Sequence, residues 1–195
     1  KSSARECARV ITSLNSPFED AGKFRADFII KGEKWLEGLP SFKQILDLKL
    51  FSFDVTMKDD FITDFNYEFT PWITLDKVTS RKVDIEDENI KKTLAIVTKD
   101  GKNSNLGYYN IGEVRFQGVI FDLDTHILSL ADIEKKALRE YLEQNGGVRV
   151  YRNNIRVLDY GEPNNDWLGL GIRRINIPVK RISNNIIIGA VYIDG

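Results

Sequence analysis

The 195-residue chain is 42% apolar and 29% charged with a formal net charge of -1, a balance that suits a folded domain with a sizeable core and excludes a protein that is basic throughout. No run approaches the roughly 18 to 20 apolar residues of a bilayer-crossing helix, and the opening KSSARECARV lacks the apolar stretch of a secretory signal, so the reading is a cytoplasmic protein without a membrane partner. One cysteine, Cys7, and one histidine, His126, exclude an internal disulfide and a zinc site built from soft ligands.

Ala4, Cys7, Ala8, Ile11 and Leu14 recur at helical spacing until Asn15-Ser16-Pro17, where proline disfavours helix in the residue before it; a helix and a turn are expected. FRADFII, Phe24 to Ile30, reads as a strand, and residues 31–41, with two glycines and a proline, as a connection. Leu48 and Leu50 lie in one alternating phase, and Phe51, Phe53, Val55 and Met57 in the other, which suggests a bulge near Leu50. Lys58-Asp59-Asp60 then turns the chain, and Phe61, Phe65, Tyr67 and Phe69 continue at period two. Leu48 to Phe69 is therefore expected to be one long antiparallel hairpin ending at Pro71.

Charge dominates from Lys77 to Lys92. Its cluster Asp84, Glu86, Asp87 and Glu88 has no calcium-loop spacing, so a solvated helix start or loop is expected there rather than a cation site. Thr93 to Thr98 is a candidate strand, and residues 99–110 are a loop by composition. Glu113 to Phe121 is a strand that leads through Asp122 to His126 into a helix striped by Ile133, Ala137, Leu138, Tyr141 and Leu142. Ser129 with Asp132 is the candidate cap of that helix and Gly146 its left-handed stop. Val148 and Val150, then Ile155 and Val157, flank Asn153-Asn154, a pair suited to a two-residue hairpin turn, and Ile186 to Ile193 is the last strand. These elements predict an α+β fold with mixed or antiparallel sheet and helices packed on one side. The expected division is an N-terminal subdomain over residues 1–92, carrying the long hairpin, and a second over 93–195; one domain is the alternative.

Charge is segregated along the chain. Residues 146–181 carry Arg149, Arg152, Arg156, Arg173, Arg174, Lys180 and Arg181 against Asp159, Glu162 and Asp166, an excess of +4 that leaves -5 elsewhere. Such a stretch suits an anionic partner, phosphate or nucleic acid, or forms a solvated basic face. Tyr160 and Trp167, interleaved with arginines, suit base stacking or packing. GVIFDLDTH, Gly118 to His126, resembles the first motif of haloacid-dehalogenase-like phosphatases. That resemblance would make Asp122 a nucleophile and Asp124 an acid/base with magnesium between them. The family's Gly-Thr is replaced here by Thr-His and no later paired-acid strand follows, so the pair is read as a strand end with two exposed carboxylates.

YGEPNNDWLGL, Tyr160 to Leu170, is the most specific string. Gly161, Pro163 and Asn164-Asn165 call for turns while Trp167, Leu168 and Leu170 call for burial, so the loop should be tightly tied down and able to hold the cations after it. Together with GGVRVYR, RRINIPVKR and ISNNIIIG, this string resembles the region that follows the ATP-binding domain in the GHKL superfamily, among large bacterial relatives of gyrase B, MutL and the heat-shock chaperones. NSPFED at residues 15–20, the hairpin ending FTP, and FDLDTHILSL are similar too.

The resemblance implies a transducer, or middle, domain with a βαβ-like unit in its second half, and a parent ATPase that could be chaperone-like, DNA-handling or a defence protein. In that family a loop Lys or Arg of the transducer reaches the γ-phosphate of ATP and neutralises charge developing on it. Lys180 or Arg181, and then Arg174, are the positions it assigns to that contact in the parent. ATP and magnesium belong to the parent's N-terminal ATP-binding domain, the implied partner. The family's Asn-bearing magnesium helix, DxGxG segment and Gly-rich lid have no counterpart in this sequence. Alone, the chain is expected to be no enzyme and to hold no cofactor. Lys1 in place of methionine fits a piece cut from a longer protein, whose parent could be a homodimer. The alternative is a nucleic-acid-binding module that uses the basic stretch 146–181, with affinity falling steeply with salt.

Overall fold

The computed structural model describes residues 14–18, 42–59, 61–72, 78–94, 110–130, 135–172 and 182–193. The expected helix from Ala4 (apart from Leu14), the strand 24–30, the connection 31–41, residues 95–98 of the candidate strand and the loop 99–109 lie outside those residues. The described elements are α1 (Phe42–Leu46), β1 (Phe51–Lys58), β2 (Phe61–Phe69), β3 (Arg81–Asp84), α2 (Glu88–Thr93), β4 (Glu113–Ile120), α3 (Thr125–Leu130), α4 (Lys135–Asn145), β5 (Gly147–Arg152), β6 (Ile155–Val157) and β7 (Ile187–Ile193), the last preceded by a 3-10 turn, Asn184–Ile186.

The strands form one mixed sheet in the order β3-β2-β1-β4-β7-β5-β6, so the fold is α+β. Every neighbouring pair is antiparallel except β5 and β7. The sheet is continuous across residues 92–93, because β1 pairs along its length with β4. In the second half the helices connect β4 to β5, which run antiparallel to each other with β7 between them.

Alternation along the strands separates two faces. On one, Phe51, Phe53 and Val55 of β1 lie opposite Ile120, Gly118 and Phe116 of β4; on the other, Ser52, Asp54 and Thr56 lie opposite Val119, Gln117 and Arg115. The second face carries the helices: Val119 and Ile188 pack with Ile45 of α1, Leu128 of α3, and Leu138 and Leu142 of α4. Side chains so fully buried contribute about 1.5–3 kcal/mol each, which is why the stripe Leu138, Tyr141, Leu142 places α4 here. The helices that contribute buried residues all sit on this side. On the first face, Ile120, Val148 and Ile187 form a second core cluster against Phe51, Phe53, Phe116, Leu168 and Leu170. Residues of the 158–172 loop thus complete the core of that face.

The β1–β2 hairpin forms as its alternation predicts, but its irregularity is elsewhere. Leu48 belongs to the turn that leaves α1, where its N–H donates to Ile45 O, while Leu50 N–H already donates to Ile120 O and Leu50 O accepts from Thr70 N–H, so the change of phase marks helix giving way to strand. The bulge lies at the far end, where Met57 pairs with Ile62 and Thr56 with Asp64, leaving Thr63 unmatched. That extra residue turns Ile62 to the apolar face in place of Phe61, which is 73% exposed. Thr93, expected to open a strand, closes α2, and the strand β3 was not anticipated within the charged stretch. Ser129 does not cap α4: it lies within α3, where its hydroxyl donates to His126 O. Gly146 N–H closes the last turn of α4 on Leu142 O, and the positive φ of 116° falls one residue later, at Gly147. Among the described residues no helix is long and apolar enough to cross a membrane.

Candidate interaction surface

At the second-half end of the sheet, Asn153 and Asn154 take φ values of 50° and 62°. Two consecutive left-handed residues make the tight turn whose twist suits a two-residue hairpin, and β6 pairs back on β5 in register, Arg152 with Ile155 and Val150 with Val157. Beyond β6 the loop is braced at several points. Asn165 Nδ2 donates to Asp159 O at 2.6 Å and Trp167 Nε1 to Val148 O at 2.8 Å. The Asp166 carboxylate accepts from the backbone N–H groups of Leu170 and Gly171 at 2.9 and 2.8 Å, starting a helical turn. At Gly161 the chain passes so close to β5 that a Cβ would lie 2.6 Å from Val148 O, at a φ of 72°; only glycine suits both conditions. The expectation of a tied-down loop is met.

Strand β6 and the braced segment expose large apolar side chains beside the exposed Asp159 and Asn164. Ile155, Leu158 and Ile172 are 56%, 66% and 66% exposed. Tyr160 and Trp167 are partly exposed and meet edge to face with ring centroids 5.2 Å apart. Large exposed apolar side chains on a hydrogen-bonded segment are candidates for contact with another protein body.

The basic stretch is not the uniform patch its composition suggests. Arg149 and Arg156 are buried, 4% and 8% exposed. Arg149 projects from β5 beneath α4 and donates from Nη2 to Asn145 O, at the helix C-terminus where a positive charge is favoured. Its Nε has no acceptor. Arg156 donates from Nη2 to Glu162 Oε1 at 2.7 Å. Burial raises the hydroxyl pKa of Tyr151 and of Tyr141, and the nearby Arg149 charge opposes that rise in both. Both arginines are therefore parts of the interior and do not reach a nucleic acid or a phosphate on the surface, whereas Arg152 is exposed. Arg173, Arg174, Lys180 and Arg181 lie outside the described residues; the described chain stops at Ile172 and resumes at Ile182.

The other acidic motifs resolve into local structure. Asp122 Oδ1 accepts from Asp124 N–H, and Asp124 Oδ1 accepts from His126 N–H, at 2.8 Å in each case. These carboxylates shape the turn that enters α3. Asp87 caps α2 by accepting from Asn89 N–H and Ile90 N–H, while Lys91 bridges Glu86 and Glu88.

Sequence reasoning did not single out a polar cluster on the helix-bearing face beyond the helices' cover. Arg115 grips Asp54 with two bonds, Nε to Oδ1 at 3.0 Å and Nη2 to Oδ2 at 2.7 Å, and Gln117 Nε2 adds a third at 2.7 Å. Burial pushes the Asp54 carboxyl pKa up, but hydrogen bonds from Arg115 and Gln117 and the Arg115 charge outweigh it, leaving the carboxyl below its ordinary value. The cluster borders an open groove of about 330 Å³ between the end of α1 and β3. The available signal was one polar phase, Asp54 in β1 and Arg115 with Gln117 in β4, inside otherwise apolar strands. Comparison with protein-family models, with curated proteins and with solved structures finds no match for this chain.

Proposed function

We propose that the chain is a coupling, or transducer, domain of a GHKL-type ATPase: it docks on a neighbouring ATP-binding domain, supplies a basic residue to the γ-phosphate, and relays the nucleotide state. The observation that carries this reading is the braced loop from Leu158 to Ile172, anchored to β5 through Trp167 and Gly161 and followed in the sequence by Arg173, Arg174, Lys180 and Arg181. A cation acts on a phosphoryl group only if it is held in place beforehand, since reorganisation at the moment of reaction lowers its effect. A loop whose turns are fixed by Asn165 and Asp166 supplies such a foundation up to residue 172. The exposed side chains of Leu158, Trp167 and Ile172 offer the neighbouring domain an apolar contact beside it.

In this reading Lys180, Arg181 and Arg174 are the phosphate contacts, with ATP and magnesium held by the other domain. Alone, the chain binds ATP weakly and turns none over. Nucleic-acid binding by the same stretch is the competing reading, and it has two fewer surface cations to use, because Arg149 and Arg156 are interior. Titrating the isolated chain with single-stranded and duplex DNA in low and high salt separates the two. The coupling reading expects no salt-dependent binding in the micromolar range; a steep salt slope would favour the nucleic-acid module.

A further inference from the structure

The strand β3 ends the sheet on the side of the first half, and its residues Arg81, Lys82 and Asp84 are exposed. Apart from a turn bond from Asp87 N–H to Asp84 O, its outer edge takes no hydrogen bond from another described residue. Lys82 lies opposite Glu68 of β2 but makes no ion pair among the described residues, and the Asp84 carboxylate accepts from Glu86 N–H. A charged edge ordinarily discourages strand addition, lysine above all. Here the order of the charges admits one particular partner.

Residues directly opposite each other in an antiparallel pair point to the same face. Two copies of β3 related by a two-fold axis perpendicular to the sheet must therefore centre on one residue. Centred on Lys82, the pairing sets ammonium against ammonium. Centred on Val83, it places Val83 against Val83 of the second copy, on the face that carries Tyr67, Val83's cross-strand neighbour. On the opposite face it sets Lys82 against Asp84 of the second copy, twice. We propose that two copies of this chain associate antiparallel through β3 about Val83, joining their sheets edge to edge, with the Lys82 and Asp84 pairs fixing the register. Four residues bury little surface, so the dimer belongs to the small, transient class.

Sedimentation velocity on the chain over a concentration series up to about 1 mM, a range suited to small interfaces, is expected to show monomer passing to dimer. Lys82→Glu and Asp84→Lys each place like charges opposite one another and should weaken self-association about tenfold. An equimolar mixture of the two should regain it, because the acidic copy then faces the basic one. Circular dichroism checks that each variant is folded. Asp84→Asn, which keeps an oxygen acceptor for the Glu86 N–H, should weaken the dimer without disturbing the turn. Monomer throughout the series, a dimer indifferent to these substitutions, or a mixture no tighter than its components would overturn the proposal.

Discussion

Trp167 Nε1 donates to the carbonyl oxygen of Val148 at 2.8 Å, tying the loop after β6 to a strand that begins the same hairpin. The bond uses the carbonyl of a residue that is 1% exposed, and the indole also meets Tyr160 edge to face. One side chain thus joins the core of the sheet to the surface that the proposed coupling needs. Replacing Trp167 with Phe keeps most of the packing and removes the donor. A loss of about 1 kcal/mol in urea unfolding is expected, and faster amide exchange should be confined to residues 158–172.

Gly161→Ala tests the same attachment from the backbone side. The new methyl would meet Val148 O at 2.6 Å in a left-handed conformation, so about 2–4 kcal/mol should be lost. Chemical unfolding measures it; a loss below about 0.5 kcal/mol would show that the loop shifts freely.

Removing the Arg149 charge and removing the carboxylate partner of Arg156 should have different effects. Arg149 has an Nε with no acceptor, so Arg149→Met, similar in length and apolar, should leave stability within about 1 kcal/mol of the original or raise it. Glu162→Ala leaves the buried Arg156 without its 2.7 Å carboxylate contact and should cost about 1–3 kcal/mol. Thermal unfolding of the two variants side by side is the measurement.

Acid should act through Asp54. Its folded pKa lies below the unfolded value of about 3.9, so this contribution is complete above that pH and disappears as pH falls through the folded value. The Tm difference between the original and Asp54→Asn should be clear near about pH 6 and shrink below about pH 4. The Arg115 side chain is 40% exposed, so solvent screening keeps the effect modest.

Where one physical rule governs a segment, the sequence was a good guide. Period two in Phe51 to Met57, the apolar stripe of α4, Asn153-Asn154 at the hairpin and the tied-down turns of YGEPNNDWLGL became the expected local structure, although Trp167, expected to be buried, is 38% exposed. The misses have a common cause in long-range pairing. A strand as polar as Arg81–Asp84 exists because Tyr67 and Phe69 of β2 pair with it, and the bulge at Thr63 appears only once β1 and β2 are aligned. Counting charge treated Arg149 and Arg156 as surface cations, since alternation alone does not say that a helix and a loop cover that end of the sheet. Asp54 and Arg115, 61 positions apart, meet only through the β1–β4 pairing.

The central claim is most directly tested by ATP turnover in the full-length protein that the coupling reading supposes, with Lys180→Ala, Arg181→Ala and Arg174→Ala made singly and together. The account predicts that at least one of the single variants, and the combined one, lowers turnover by about 10²–10³-fold while unfolding and ATP binding change little. Turnover unchanged in the combined variant would contradict it.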